Sequence, residues 1–348
     1  EDSLLINKKE YYISTNQYPN SIYPNGYEYF DNFACGLVAV YKYKVNSYVI
    51  NRSIMMLDGQ NTTIIRYDLL SSSNKNPNIF LRPFLAFRDI HALVSQNTGL
   101  NVKVENIRGD LYTMQPYIGL PSIYFKFNNS LEFYPCPDWY NNFEYHKDRD
   151  RGYSYLEDLF CPGIFEKKLN IDSPMYFALS TEESIKDADL HILWNKELER
   201  RYELREKYKN ESDAIRALKI HSKNFIFKKP DSSYSIIAGY PWFGEWGRDA
   251  MIAGLIPNYI SKDELSYNSV DAPFWFIWAA QQYYYKTKDI ENVKIHLFPT
   301  IKSIIKNFLD PKTPHIKCQK NHLLWTGSVN TNLTWMDAVA WGKPVTSR

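Results

Sequence analysis

The sequence predicts a multidomain β + α protein. An N-terminal β-sandwich spans residues 1–180, a helical linker 181–225 and a helical domain 226–348. Three observations carry this. Short runs of period-two alternation with turn residues between them fill the first half. A charged stretch free of Gly and Pro follows. Helix-like segments separated by aromatic loops make up the rest.

In the first part, LVAVYKYKVNSYVINRSIMML (Leu37 to Leu57) and NTTIIRYDLL (Asn61 to Leu70) alternate apolar and polar residues, as half-buried strands do. Pro24-Asn25-Gly26 and Asp58-Gly59 read as turns between such strands. Ser71 to Asn78 is a polar loop, and FRDIHALVSQN (Phe87 to Asn97) reads as a short helical insertion. The texture changes near residue 181. Thr181-Glu182-Glu183-Ser184 resembles a helix start, and Ile185 to Asn210 is rich in helix formers. Apolar residues are sparse there, so this helix is expected to bridge domains, with Arg200-Arg201 on a solvated face. A second helix is expected from Ser212 to about Lys223. Beyond 226, Asp249 precedes AMIAGLIPNYI, and Asp271-Ala272-Pro273 precedes FWFIWAAQQYYYKT. The latter is apolar nearly all round and is expected to be buried. Asn292 to Asp310 has the apolar spacing of an amphipathic helix.

Composition narrows function. The net charge of +2 gives no electrostatic case for nucleic acid or a membrane surface. No run of about 20 apolar residues is present, no signal-peptide pattern is visible, and a cytoplasmic protein is expected. Cys35, Cys136, Cys161 and Cys318 form no CxxC and no Cys/His cluster, so zinc is not indicated. They read as free thiols, the alternative being two disulfides. With 28 Tyr and 9 Trp the chain has aromatic surface to spare for flat, half-apolar ligands such as sugar rings, although most aromatics serve cores.

Three loops concentrate Trp, Asp and Arg: Trp246-Gly247-Arg248-Asp249, Tyr267 to Trp275 around Asp271, and Leu333 to Ala338 around Trp335 and Asp337. Aromatic faces stack on sugar C–H groups, and charged groups fork hydroxyls. Each loop also has a plainer reading. Asp249 and Asp271 suit helix N-caps, the second with Pro at an early helical position. Asp337 suits a turn.

PWFGEWGRDAMIA, YNSVDAPFWFIWAAQQYY and LTWMDA…GKPVTSR resemble the glucosidase part of glycogen debranching enzymes (amylo-α-1,6-glucosidases) of bacterial and archaeal type. STNQYPNSIYPNGYEYFDNF, MMLDGQNTTIIRYDLL, LRPFLAFRDIHAL and RGYSYLEDLFCPGIF resemble that family's N-terminal β domain. The resemblance runs through essentially the whole chain. It implies a β-sandwich, a helical linker, then an (α/α)6 barrel whose loops hold the site. It implies Asp337 as general acid, Trp246, Arg248 and Asp249 as residues that hold a terminal glucose, and Asp271 and Trp335 as further substrate-side residues. The implied partner is glycogen or another branched α-glucan, and no metal or organic cofactor is implied. A glucoamylase-like exo-α-glucosidase and a non-catalytic glucan-binding protein are the alternatives.

The chain departs from the family pattern in two respects. Its wording at Ala338 to Gly342 differs slightly. The family's general base is a glutamate well C-terminal to TWMDA, whereas this sequence ends at Ser347-Arg348. Residues 226–348 supply about six to eight helices, against twelve in a closed barrel. A fragment truncated at both ends, with an incomplete barrel, is therefore expected. The isolated 348 residues should bind glucan weakly at most and release no glucose from limit dextrin. Measurable release would overturn that expectation.

Overall fold

The computed structural model describes residues 1–72, 75–229, 232, 234–240, 243–245, 259–260, 265–266, 270–310, 316–327, 333, 339–341 and 343–344. Two compact units divide the chain, Glu1–Lys209 and Asn210–Arg348.

The first unit is built on antiparallel strands. In chain order these are β1 (Asp2–Ile6), β2 (Lys9–Tyr12), β3 (Gln17–Tyr18), β4 (Ser21–Ile22), β5 (Phe30–Cys35), β6 (Ala39–Val45), β7 (Tyr48–Met56) and β8 (Thr62–Ser71). They continue with β9 (Asn78–Leu81), β10 (Glu105–Arg108), β11 (Leu111–Met114), β12 (Ile123–Phe127), β13 (Glu132–Glu144), β14 (Leu156–Lys168) and β15 (Met175–Ser180). One sheet runs β10-β11-β12-β15-β8-β7-β6-β5 and another β13-β14-β9-β1-β2. The alternation seen in sequence becomes alternating burial. In β7, Tyr48, Ile50, Ser53 and Met55 are buried, with less-buried residues between them. Leu4, Ile79 and Phe165 of the smaller sheet share one core with Ile50, Phe125 and Phe177 of the larger. Their burial supplies the main driving force for this unit. Gly59 closes the β7–β8 turn at φ 68°, a conformation that glycine adopts without strain.

The opposite face of the larger sheet is covered by helix α2 (Leu190–Lys207), the second helix after the short α1 (His146–Asp150). The helix starts later than Thr181 suggests. A 3-10 turn occupies Glu183–Asp187, and Asp189 caps α2 by accepting from the His191 and Ile192 amides. Its first turns pack within this unit. Leu190 and Trp194 pack with Met55, Ile64, Tyr176 and Ala178 in a second core. Arg200-Arg201 is not a solvated pair either. Both guanidinium groups bind the Glu197 carboxylate, and Arg201 also donates to the Leu37 and Met56 carbonyls at 2.8 Å each.

Phe87 to Asn97 forms no helix. Its backbone is taken by β14 instead. Leu85 and Phe160 exchange main-chain hydrogen bonds, the Asp158 amide donates to the Val94 carbonyl, and the Gln96 amide donates to Asp158 Oδ2. Glu157, whose side chain is wholly buried, accepts from Arg88 Nε and Nη2 at 2.6 and 3.0 Å, from the Tyr145 hydroxyl at 2.5 Å and from the Val94 amide at 3.2 Å. A local helix would have to give up these long-range partners. All four cysteines are free thiols.

Three paired carboxylates set an acid limit. Burial opposes the Asp2 charge, but the Arg52 guanidinium, with hydrogen bonds from Ser14 and Tyr67, holds it at about 2. Burial also opposes charge on Glu157 and Glu197, yet Arg88 with Tyr145, and Arg200 with Arg201, bring both carboxyls below their ordinary value. Above about pH 5 the carboxylates are ionised in both folded and unfolded chains, so the stabilisation is fully present. It is lost as pH falls from about 5 through the unfolded values towards 2. The expected unfolding free energy in urea is flat from neutrality to about pH 5 and falls below it; an unchanged value near pH 2 would contradict this.

The second unit opens with helix Asp213–His221, capped by the Ser212 hydroxyl. A three-stranded sheet of Ile226–Lys228, Tyr234–Gly239 and Phe243–Glu245 follows. Helix Ala272–Thr287 and helix Phe298–Leu309 then pack together, the latter entered through a wide turn at Val293–Leu297. The expectation that the first of these is buried all round is corrected. Only Ala272, Phe276 and Ala280, one i, i+4, i+8 stripe, are buried, and Ala272 and Phe276 form a small core with Ile304. Phe274, Trp275, Trp278 and Tyr285 remain roughly half exposed. One helix can cover only one stripe of another. The segment after Asp249 expected to be helical lies largely outside the described residues.

Candidate active site

Trp246, Arg248 and Asp249 of the first loop, and Trp335 and Asp337 of the third, lie outside the described residues. Asp271 of the second lies within them, and so do the strand Phe243–Glu245 before the first loop and Leu333 at the start of the third.

The segment entering the first loop is a hairpin. Ile237 pairs with Glu245 and Gly239 with Phe243, so the chain reverses and heads for Trp246 in extended form. Tyr240 is fixed at the turn, its hydroxyl donating to the Asn224 carbonyl at 2.7 Å and its ring 5.4 Å from that of Phe225. Gly244 sits in the strand with open space where a Cβ would project, so no close approach requires glycine there.

Asp271 occupies the N-cap position of helix Ala272–Thr287, and Pro273 follows at an early helical position where its missing N–H costs nothing. The position agrees with the sequence reading, but the chemistry differs. The Asp271 carbonyl accepts from the Phe274 and Trp275 amides at 3.0 and 3.1 Å, whereas its carboxylate does not cap the helix. Trp275 and Trp278 stand one turn apart on this helix, edge to face at 5.8 Å, each about half exposed.

The second and third loops meet through their main chains. The Val270 amide donates to the Leu333 carbonyl at 2.7 Å. This places the residue before Asp271 against the residue before Thr334, at the entrance to the Trp335–Asp337 segment. No sequence pattern signals a main-chain bond between distant loops, and this one was not foreseen. Among the described residues, no group of three or more His, Cys, Asp or Glu is arranged to hold a metal ion. Among the described residues, no helix is long and apolar enough to cross a membrane.

A β unit followed by a helical unit with aromatic, carboxylate-bearing loops makes this a modular β-plus-helical chain. Family models resolve it further. Residues 1–176 match the model described as glycogen debranching enzyme N terminal, and residues 220–253 and 253–348 match amylo-alpha-1,6-glucosidase. The chain belongs to the glycogen debranching enzyme family. No curated protein matches it. Among solved structures it is similar to a bacterial glucoamylase complexed with acarbose, at 11% identity and a TM-score of 0.42. That alignment covers 81% of this chain and 48% of the glucoamylase, so the chain spans about half the length of that protein.

Proposed function

We propose that this chain acts on branched α-glucan as part of a glycoside hydrolase that removes α-1,6-linked glucose at glycogen branch points. The observation that carries the reading is the amylo-alpha-1,6-glucosidase match, which spans every candidate residue from Trp246 to Asp337. In this reading the helical unit contributes to an (α/α)6 barrel in a cytoplasmic enzyme. Trp246 offers a face to the terminal glucose, and Arg248 and Asp249 fork its hydroxyls. Asp271 and Trp335 line the substrate side.

Asp337 donates the proton to the leaving oxygen. Asp249 suits that task less well. It adjoins Arg248 and is read as opening a helix, and both effects favour a permanently ionised carboxylate. Such a group holds hydroxyls well but is a poor acid. Inversion further requires a carboxylate base on the opposite face, about 6.5–9.5 Å from the acid, to activate water. The resemblance points to a glutamate outside the residues named here.

The test compares substrates in the catalytically active protein. Glucose release should be faster from a limit dextrin bearing single α-1,6-linked glucose stubs than from linear maltooligosaccharides. The reverse order would replace this reading with a glucoamylase-like exo-α-glucosidase.

A further inference from the structure

A second polar site lies in the first unit, within residues 108–191. A pocket of about 420 Å³ opens between the β10–β11 turn, β12 and the start of α2. Lys126 lines it with a side chain only 5% exposed, its ammonium ion-paired with Asp110. Arg108 donates from Nε to Asp110 Oδ1 at 3.0 Å and from Nη1 to Asp187 Oδ1 at 3.2 Å. Across the pocket, Asp189 spends Oδ1 on the His191 and Ile192 amides. His191 is held by the Tyr176 hydroxyl at 3.1 Å and by Asn195 at 2.9 Å.

The walls therefore carry acids and bases in near balance. Three carboxylates (Asp110, Asp187, Asp189) face Arg108, Lys126 and His191. An anion such as phosphate would meet the carboxylates, and a cation would meet Arg108 and Lys126. A hydroxyl both donates and accepts, so a neutral polyol can use both sets. An ammonium has three N–H donors, and Asp110 engages one of those on Lys126, which leaves donors for a ligand oxygen. The volume lies within the range of about 300–1,000 Å³ usual for small-ligand pockets.

We infer that this pocket is an accessory subsite for a glycosyl unit of an α-glucan, independent of the three loops. The polyol chemistry stands on the pocket alone, whereas the glucosyl identity rests on the proposed function.

The test uses the full 348-residue chain with maltotriose and, separately, inorganic phosphate. Hydroxyl-radical footprinting with maltotriose should protect peptides that contain residues 108–129 and 187–191. In calorimetric titration, Asn129→Trp, placed at the exposed rim to fill the mouth, should weaken maltotriose binding at least tenfold, and Asp110→Asn should also weaken it. Phosphate should not bind. Protection confined to peptides beyond residue 239 would overturn the inference while leaving the proposed function intact. Unchanged affinity in both variants, or phosphate binding lost in Asn129→Trp, would overturn it as well. Footprinting of the unaltered protein needs no variant to fold. Failure of the proposed function would show separately, as loss of the preference for limit dextrin.

Discussion

Asp337→Asn is expected to lower the rate of glucose release from limit dextrin by about 10²–10⁴-fold in the catalytically active protein, the range a positioned general acid contributes. The amide keeps the shape and a hydrogen-bonding oxygen but has no acidic proton to give. Glucan affinity should therefore change little while kcat falls. Leaving-group dependence provides a sharper check. Glucosyl fluoride departs without a proton, so its hydrolysis should lose far less than that of limit dextrin. Arg248→Ala should instead weaken binding along with turnover, because a hydroxyl fork acts in the ground state as well as the transition state. If Asp249→Asn shows the leaving-group signature and Asp337→Asn does not, the assignment of acid and clamp is reversed.

Glu157→Gln is expected to destabilise the first unit by about 3 kcal/mol, the lower part of the range for breaking a buried charge pair by removing one partner. In a unit of this size that corresponds to a fall in Tm of about 6–12 °C. The carboxylate has no exposed surface and accepts from both Arg88 nitrogens, a phenol and an amide. A neutral amide keeps only part of that set and turns one acceptor into a donor. The loss should be local as well as global. Hydrogen exchange should rise first between Leu85 and Gln96, the segment that these bonds hold on β14. Arg88→Met removes the other partner and should give a comparable loss. A Tm unchanged in both variants would show that solvent already screens the pair.

The strands were legible because their cause is local. Alternation in Tyr48–Met56 reports a pleated strand, with Tyr48 and Ile50 in one core and Met55 in the other, and any such run pairs wherever a neighbour is available. The helix caps were partly legible. Asp271 was found at its position, but the partner of its carboxylate depends on what folds against it. Phe87 to Asn97 was misread because its bonds go to residues of β14 some sixty positions onward, which no window on the sequence contains. The helix at Leu190–Lys207 was legible from its helix formers, but its packing was not. Its apolar residues are few, but Leu190 and Trp194 are placed to fill a core that the composition of the helix does not reveal. The family was legible as motifs. The Lys126 pocket was not, since its walls come from three separate stretches of chain.

The bond from Val270 to Leu333 uses only groups that every residue but proline carries. Drift in the side chains at these two positions can leave it intact. An insertion or deletion beside either would shift the register and break it, and proline at 270 would abolish the donor. The two segments are thus tolerant of what they are made of and intolerant of how long they are. Evolution or an engineer can rewrite the side chains letter by letter there, but cannot add a word.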